Sequence, residues 1–220
     1  MALSPPLAVL GLVLAFAPVA LGAWRGARTD ERPGWPRIRR GLARTWGLAL
    51  VVLLLVLVAG EPADLALDAP SVGTLVDGTL YGFIAFGGTM VAVGLALRAS
   101  GGTVASAATL AVLEQPAHRK LAVAVTGAVA ECLLLYGYVV ETIAGFGFPP
   151  AVGGLLAAAG VVVGRVRWSA REAAQWIPGA LVLAGVAVWA RSLYVVVLIR
   201  LLYDSLTLLS GAPEDYAGDS

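Results

Sequence analysis

The chain has 220 residues, of which 59% are hydrophobic and only 13% charged, with a net charge of +1. A soluble domain of this length does not carry so little charge, whereas a polytopic membrane protein does. The neutral balance gives no basis for a nucleic-acid partner. The single Cys132 excludes an internal disulfide, and the single His118 removes the usual zinc and iron sites, which need several His or Cys ligands.

A membrane helix needs about 20 apolar residues to cross a ~30 Å core. Seven segments are predicted as spans, in chain order Pro6–Trp24, Leu42–Gly60, Gly73–Leu97, Leu121–Ala144, Pro150–Val166, Trp176–Ala190 and Ser192–Ser210. Met1 to Pro6 lacks Lys and Arg, so the first segment has no secretory n-region and reads as a retained span. The fifth and sixth are short. Gly160-Val-Val-Val-Gly164 in the fifth has the GxxxG spacing of close helix packing, or simply reflects a Gly-rich composition. Arg191-Ser192-Leu193 is a weak break, so the last two segments are either separate or one long bent helix, which makes six spans. The expected fold is an all-α transmembrane bundle forming a single integral membrane domain over residues 1–220, with no visible repeat. The longest loops are expected at Arg25–Gly41 and Arg98–Lys120.

Charge placement favours seven spans. Arg25, Arg28, Arg32, Arg37, Arg39, Arg40 and Arg44 follow or flank the first loop, Arg98, Arg119 and Lys120 the third, and Arg165, Arg167 and Arg171 the fifth. These are thirteen of the fifteen basic residues, all on one side, which the positive-inside rule makes cytoplasmic. Glu61, Asp64, Asp68 and Glu141 fall on the other side. The expectation is a multi-pass protein of the plasma membrane with its N-terminus outside and the acidic Glu214-Asp215 tail inside.

Two stretches carry charge within the apolar region. Glu131 lies eleven residues in from Lys120, about 16 Å at 1.5 Å per residue. Arg200 lies ten residues from Ser210, about 15 Å from the same edge. The two therefore share a depth, and Asp204 sits one turn from Arg200 on the same face. Charges in hydrocarbon are costly and must face partners or water. A Glu131–Arg200–Asp204 cluster reads equally as a buried ion-pair network that locks helix register or as a functional site. Cys132 lacks the adjacent base or cation that a nucleophilic thiolate needs and reads as inert. Tyr136 and Tyr203 read as packing tyrosines, Asp77 as solvated at the outer interface and His118 as a surface residue.

The motifs from Glu114 to Ser210 resemble those of the CPBP family of intramembrane endopeptidases, which includes type II CAAX prenyl proteases and bacteriocin-processing and abortive-infection proteins. The family's first motif is a Glu-Glu pair, three apolar residues and Arg-Gly; Glu131-Cys132-Leu133-Leu134-Leu135-Tyr136-Gly137 falls into that frame. Glu114-Gln115-Pro116 to Lys120 looks like the loop leading into that helix. The second motif, Phe, three residues and His, corresponds to the Gly160–Arg165 region, where Val161 and Arg165 are the nearest equivalents. The third, His, three residues and Asn or Asp, corresponds to Arg200-Leu201-Leu202-Tyr203-Asp204. Glu131, Gly137 and Asp204 match; Cys132, Tyr136, Arg165 and Arg200 depart.

The resemblance implies a prokaryotic-type intramembrane protein in which a glutamate activates water against a peptide carbonyl, while histidine and asparagine on other helices stabilise the oxyanion. Carried over, Glu131 is the candidate general base, Arg200 stands at the motif histidine and Asp204 at the motif Asn/Asp. No metal or cofactor is assigned. With no histidine in the membrane, the resemblance implies impaired or lost catalysis, with arginine stabilising an emptied site opposite the glutamate. The expected partners are membrane lipid and a membrane-embedded or lipidated protein or peptide. An active peptidase, a structural or partner-binding subunit and, less favoured, a small transporter are the competing functions. The distance from Glu131 to Arg200, and the access of water to that point, discriminate between them.

Overall fold

In a computed structural model of the chain, residues 3–26, 33–61, 65–99, 107–166 and 170–211 are described. Arg28, Arg32, Asp64, Arg167, Glu214 and Asp215 lie outside them, as do the side chains of Arg25 and Arg171. The regular elements among the described residues are all helices: α1 (Pro5–Gly26), α2 (Trp35–Ala59), α3 (Val72–Ala99), α4 (Ala107–Leu113), α5 (Ala117–Gly145), α6 (Pro150–Val166), α7 (Ala170–Ala190) and α8 (Leu193–Ser210). By length and composition, α2, α3, α5, α7 and α8 can each cross a membrane, and the apolar stretches Pro5–Leu21 of α1 and Pro150–Arg165 of α6 are shorter. The protein is an all-α, multi-pass integral membrane bundle.

One sequence expectation is revised by the backbone, and the favoured reading of the last two segments holds. The stretch expected as one long loop, Arg98–Lys120, contains α4, and α5 begins within it at Ala117. The last two segments are separate helices. Arg191 takes a left-handed conformation at φ 46°, which a non-glycine residue adopts at a cost of about 1–2 kcal/mol. Ser192 is extended, and the Leu193 N–H donates to Ala66 O at 3.1 Å. The buried Leu65–Ala66 segment thus supplies an acceptor to the start of α8, where no intrahelical partner exists.

The centre of the bundle is α5. Between Thr126 and Val140 nearly every residue is buried, as expected of a helix that is apolar on all sides. It is ringed by α1, α2, α6 and α8, while α3 packs on α7 and α8. Small residues set the approach distances. Gly153 of α6 lies against the α5 backbone at Val140, Gly160 lies between Phe16 and Leu135, and Gly82 of α3 receives Ile199. The GxxxG of α6 therefore packs towards α1. Two buried tyrosines of α5 pin neighbouring helices: Tyr138 Oη donates to Ala8 O at 3.0 Å and Tyr136 Oη to Ala180 O at 3.3 Å.

The Gly153 contact generates a stability prediction. A methyl at position 153 would stand 2.8 Å from Val140 Cα and 3.0 Å from Val140 O, backbone atoms that cannot step aside. Gly153→Ala is expected to lower stability by about 1–3 kcal/mol through overpacking. Gly88→Ala, which meets nothing within 4 Å on α3, is expected to be neutral or stabilising by up to ~1 kcal/mol through helix propensity. Thermal unfolding of the two variants in detergent checks the contrast.

Candidate functional site

The sequence supplies four charges to the interior, and three helices bring them together. Within α8, Arg200 and Asp204 are one turn apart, so their side chains meet without tertiary help. Arg200 Nη2 and Nε both donate to Asp204 Oδ2, at 2.9 and 3.1 Å. The Arg200 side chain is 1% exposed, and its Nη1 finds no hydrogen-bond acceptor among the described residues. Glu131 projects from α5 towards the same guanidinium, with Oε2 3.9 Å from Arg200 Nη2. Arg165, near the end of α6, stands 3.9 Å from the same Oε2. The four charges sum to zero, which is the condition for holding them in a low-dielectric interior.

The backbone of α5 departs from regular α geometry through this region. From Thr126 to Glu131 and again from Leu133 to Val139 the helix widens into π turns, a geometry frequent at functional sites. Gly127 faces the ion cluster. A Cβ there would lie 3.1 Å from Arg200 Nη2 and 3.2 Å from Asp204 Oδ2, so glycine is what lets α8 bring its charges against α5. Trp176 of α7 closes the other side. The Arg165 guanidinium lies 4.4 Å from the Trp176 ring centroid and that of Arg200 5.0 Å, within cation–π range. Phe86 backs this ring at 6.2 Å and meets Tyr203 edge-on at 4.9 Å.

The Glu131 carboxylate accepts no hydrogen bond from the described residues, because both ion contacts at 3.9 Å exceed hydrogen-bond length. Its side chain is 31% exposed and opens on a cavity between α1, α2, α5 and α6, lined by Ala15, Pro18, Val19, Thr45, Leu134, Leu135, Gly160, Val161, Gly164 and Arg165. The volume is about 30 Å³, enough for water but not for a peptide segment. Arg200 and Asp204 are not on its wall. The geometry thus divides the expected cluster: Arg200–Asp204 is a largely buried hydrogen-bonded pair, and Glu131–Arg165 borders a water-sized cavity.

Other sequence candidates fall outside the centre or are packing groups. Cys132 is buried, its thiol 3.7 Å from Gly127 O. Tyr136 is buried at the α7 contact, while His118 and Asp77 are exposed. Among the described residues no group of three His, Cys, Asp or Glu side chains forms a metal-binding cluster. Sequence reasoning paired Glu131 with Arg200 but gave Arg165 only a loop and motif position. Trp176 as the shared ring and Gly127 as the close-approach residue were not anticipated. The only available signal was the alignment of Arg165 with the family's second motif. No protein-family model, curated protein or solved structure matches the chain.

Removing one member of the hydrogen-bonded pair should be far more damaging than removing both. Asp204→Ala leaves a buried guanidinium without its hydrogen-bonded counter-charge and is expected to cost about 3–5 kcal/mol. The double change Arg200→Met with Asp204→Leu is expected to recover most of that loss. Unfolding free energies of the single and double variants in detergent provide the comparison.

Proposed function

We propose that this chain is a CPBP-like intramembrane protein that no longer hydrolyses peptides and instead binds a membrane-embedded or lipidated partner, with its basic end towards the cytoplasm of the cell membrane. The observation that carries the reading is the convergence on one centre of Glu131, Arg165 and the Arg200–Asp204 pair, the positions aligned with all three family motifs. Arginines stand where that family carries histidines. A neutral imidazole can take a proton from water and return it to a leaving amine, but a guanidinium never gives up its proton and can only donate hydrogen bonds. Arg165 and Arg200 can therefore hold an anion or an oxyanion, but they cannot shuttle protons. The small cavity beside Glu131 fits this reading, because it does not admit a scissile peptide. Binding then takes place at the bundle surface or needs the α1–α6 side of the cavity to open.

A second reading, a structural subunit of a larger membrane complex, is favoured by α3. Its outer face exposes Val76, Leu80, Ile84, Val91 and Leu95, and Gly88 and Gly94 have open space around them.

One experiment separates these readings. The protein is reconstituted in nanodiscs with a fluorescent farnesylated peptide, and both anisotropy and peptide mass are followed. The expected outcome is saturable binding with the peptide mass unchanged, both for the unaltered protein and for Glu131→Gln. Cleavage that Glu131→Gln abolishes would restore the glutamate-activated peptidase. Absence of binding and of cleavage would favour the structural subunit.

A further inference from the structure

The basic end of the bundle contains an arrangement unrelated to the Glu131 centre. The first turns of α2 carry Arg37, Arg39, Arg40 and Arg44, all exposed, and no Asp or Glu occurs anywhere in α2. These arginines are not one stripe. At 100° per residue, Arg37, Arg40 and Arg44 share one side of the helix, while Arg39 lies on another, one turn below Trp35. Trp35 is the ring over which Arg119 of α5 stacks, with its guanidinium 4.9 Å from the centroid, and Arg119 Nη1 donates to Gln115 Oε1 at 2.9 Å. Arg119 thus stacks on Trp35 across the junction of α2 and α5, and Arg39 follows that tryptophan by one turn on the same side of α2. His118 is exposed beside them.

Below this pair the same seam turns apolar. The α2 stripe continues through Ala43, Trp46 and Leu50, at the i+4, i+7 and i+11 positions from Arg39. On α5, Ala122 lies one turn before Thr126, which takes the Trp46 hydrogen bond, and one turn after Arg119 comes Val123. Ala43 and Ala122 are exposed, and Leu50 is 52% exposed. The floor is closed by the Trp46 Nε1–H to Thr126 Oγ1 hydrogen bond, at 2.9 Å. Arg39 to Leu50 spans about 16 Å at 1.5 Å per residue, a length suited to the upper part of an acyl chain. A cationic rim, an interfacial tryptophan and an apolar furrow in that order match an amphiphile with an anionic head. Clustered arginines beside a membrane helix attract anionic headgroups, and tryptophan belongs at the headgroup level. The nearest carboxylate along the chain is Glu114, in the turn before α5, which is exposed and already engaged with a neighbour.

We infer that the α2–α5 seam is a binding site for an anionic phospholipid, its phosphate held between Arg39 and Arg119 and one acyl chain lying along Ala43, Leu50 and Ala122. The inference is independent of the reading of Glu131.

The full-length protein in neutral detergent is titrated with phosphatidylglycerol or phosphatidylcholine of the same acyl chains, and retained lipid is counted by native mass spectrometry. Phosphatidylglycerol is expected to be retained at least tenfold better, and the preference should shrink in high salt. Arg39→Gln with Arg119→Gln is expected to abolish the preference, at about fivefold per cation removed. Arg39→Lys with Arg119→Lys should keep most of it, which excludes misfolding as the cause. Arg40→Gln with Arg44→Gln removes the same charge from another side of α2 and should leave it intact. Equal retention of both lipids overturns the site. An equal loss in the two glutamine pairs reduces it to diffuse surface charge and also overturns it. Displacement of the lipid by millimolar inorganic phosphate would assign the cations to a free anion and overturn the lipid as occupant.

Discussion

Everything in the interior of this bundle answers to one guanidinium. Arg200 is fully buried in a helix that crosses apolar surroundings, and an isolated cation there would cost far more than a small membrane protein can absorb. Its compensation is layered. Asp204 supplies two hydrogen bonds from the same helix, Trp176 supplies a π face, and Glu131 supplies a second negative charge at longer range. Each layer fixes something larger. The Trp176 contact joins α7 to α8, the Glu131 contact joins α5 to α8, and Arg165 ties α6 to the same carboxylate.

The same requirement accounts for the oddities of α5. A side chain at position 127 would press on Arg200 and Asp204 and push α8 a few tenths of an ångström from α5. Gly127 removes the obstacle, and the π turns on both sides of Cys132 accompany the almost complete burial of residues 126–140. Glu131 ends with no direct hydrogen-bond donor among the described residues but with a water-sized space before it. A carboxylate bordered by two permanent cations can organise water or an approaching donor.

Much of the architecture was legible from the chain. Seven apolar stretches correspond to α1, α2, α3, α5, α6, α7 and α8, because the cost of exposing backbone and charge in hydrocarbon leaves a strong imprint on composition. The shared depth of Glu131 and Arg200 followed from counting residues at helical rise, and the Arg200–Asp204 pair from i,i+4 spacing. What the sequence concealed depends on helix rotation and on local backbone shape. Apolar residues on every side of α5 leave no moment from which to read its facing, so neither the role of Gly127 nor the meeting of Arg165 with Glu131 could be read from periodicity. The break at Arg191 was ambiguous for a related reason. It depends on Ala66, 127 residues from Leu193 in sequence, whose carbonyl caps α8.

The placement of Asp204 on the same helix as Arg200 has a consequence for biosynthesis. A segment that carries its own counter-ion one turn away can neutralise itself before any neighbour arrives, so α8 can partition into the bilayer as a self-contained pair. Glu131 has no such provision. It emerges earlier in translation than either of its cations, and its two partners come from helices made later. Until α6 and α8 dock, α5 must keep that carboxylate near water or another host. Among the described helices α8 is therefore the later of the two that bring a cation to the Glu131 carboxylate, and α5 is made before both.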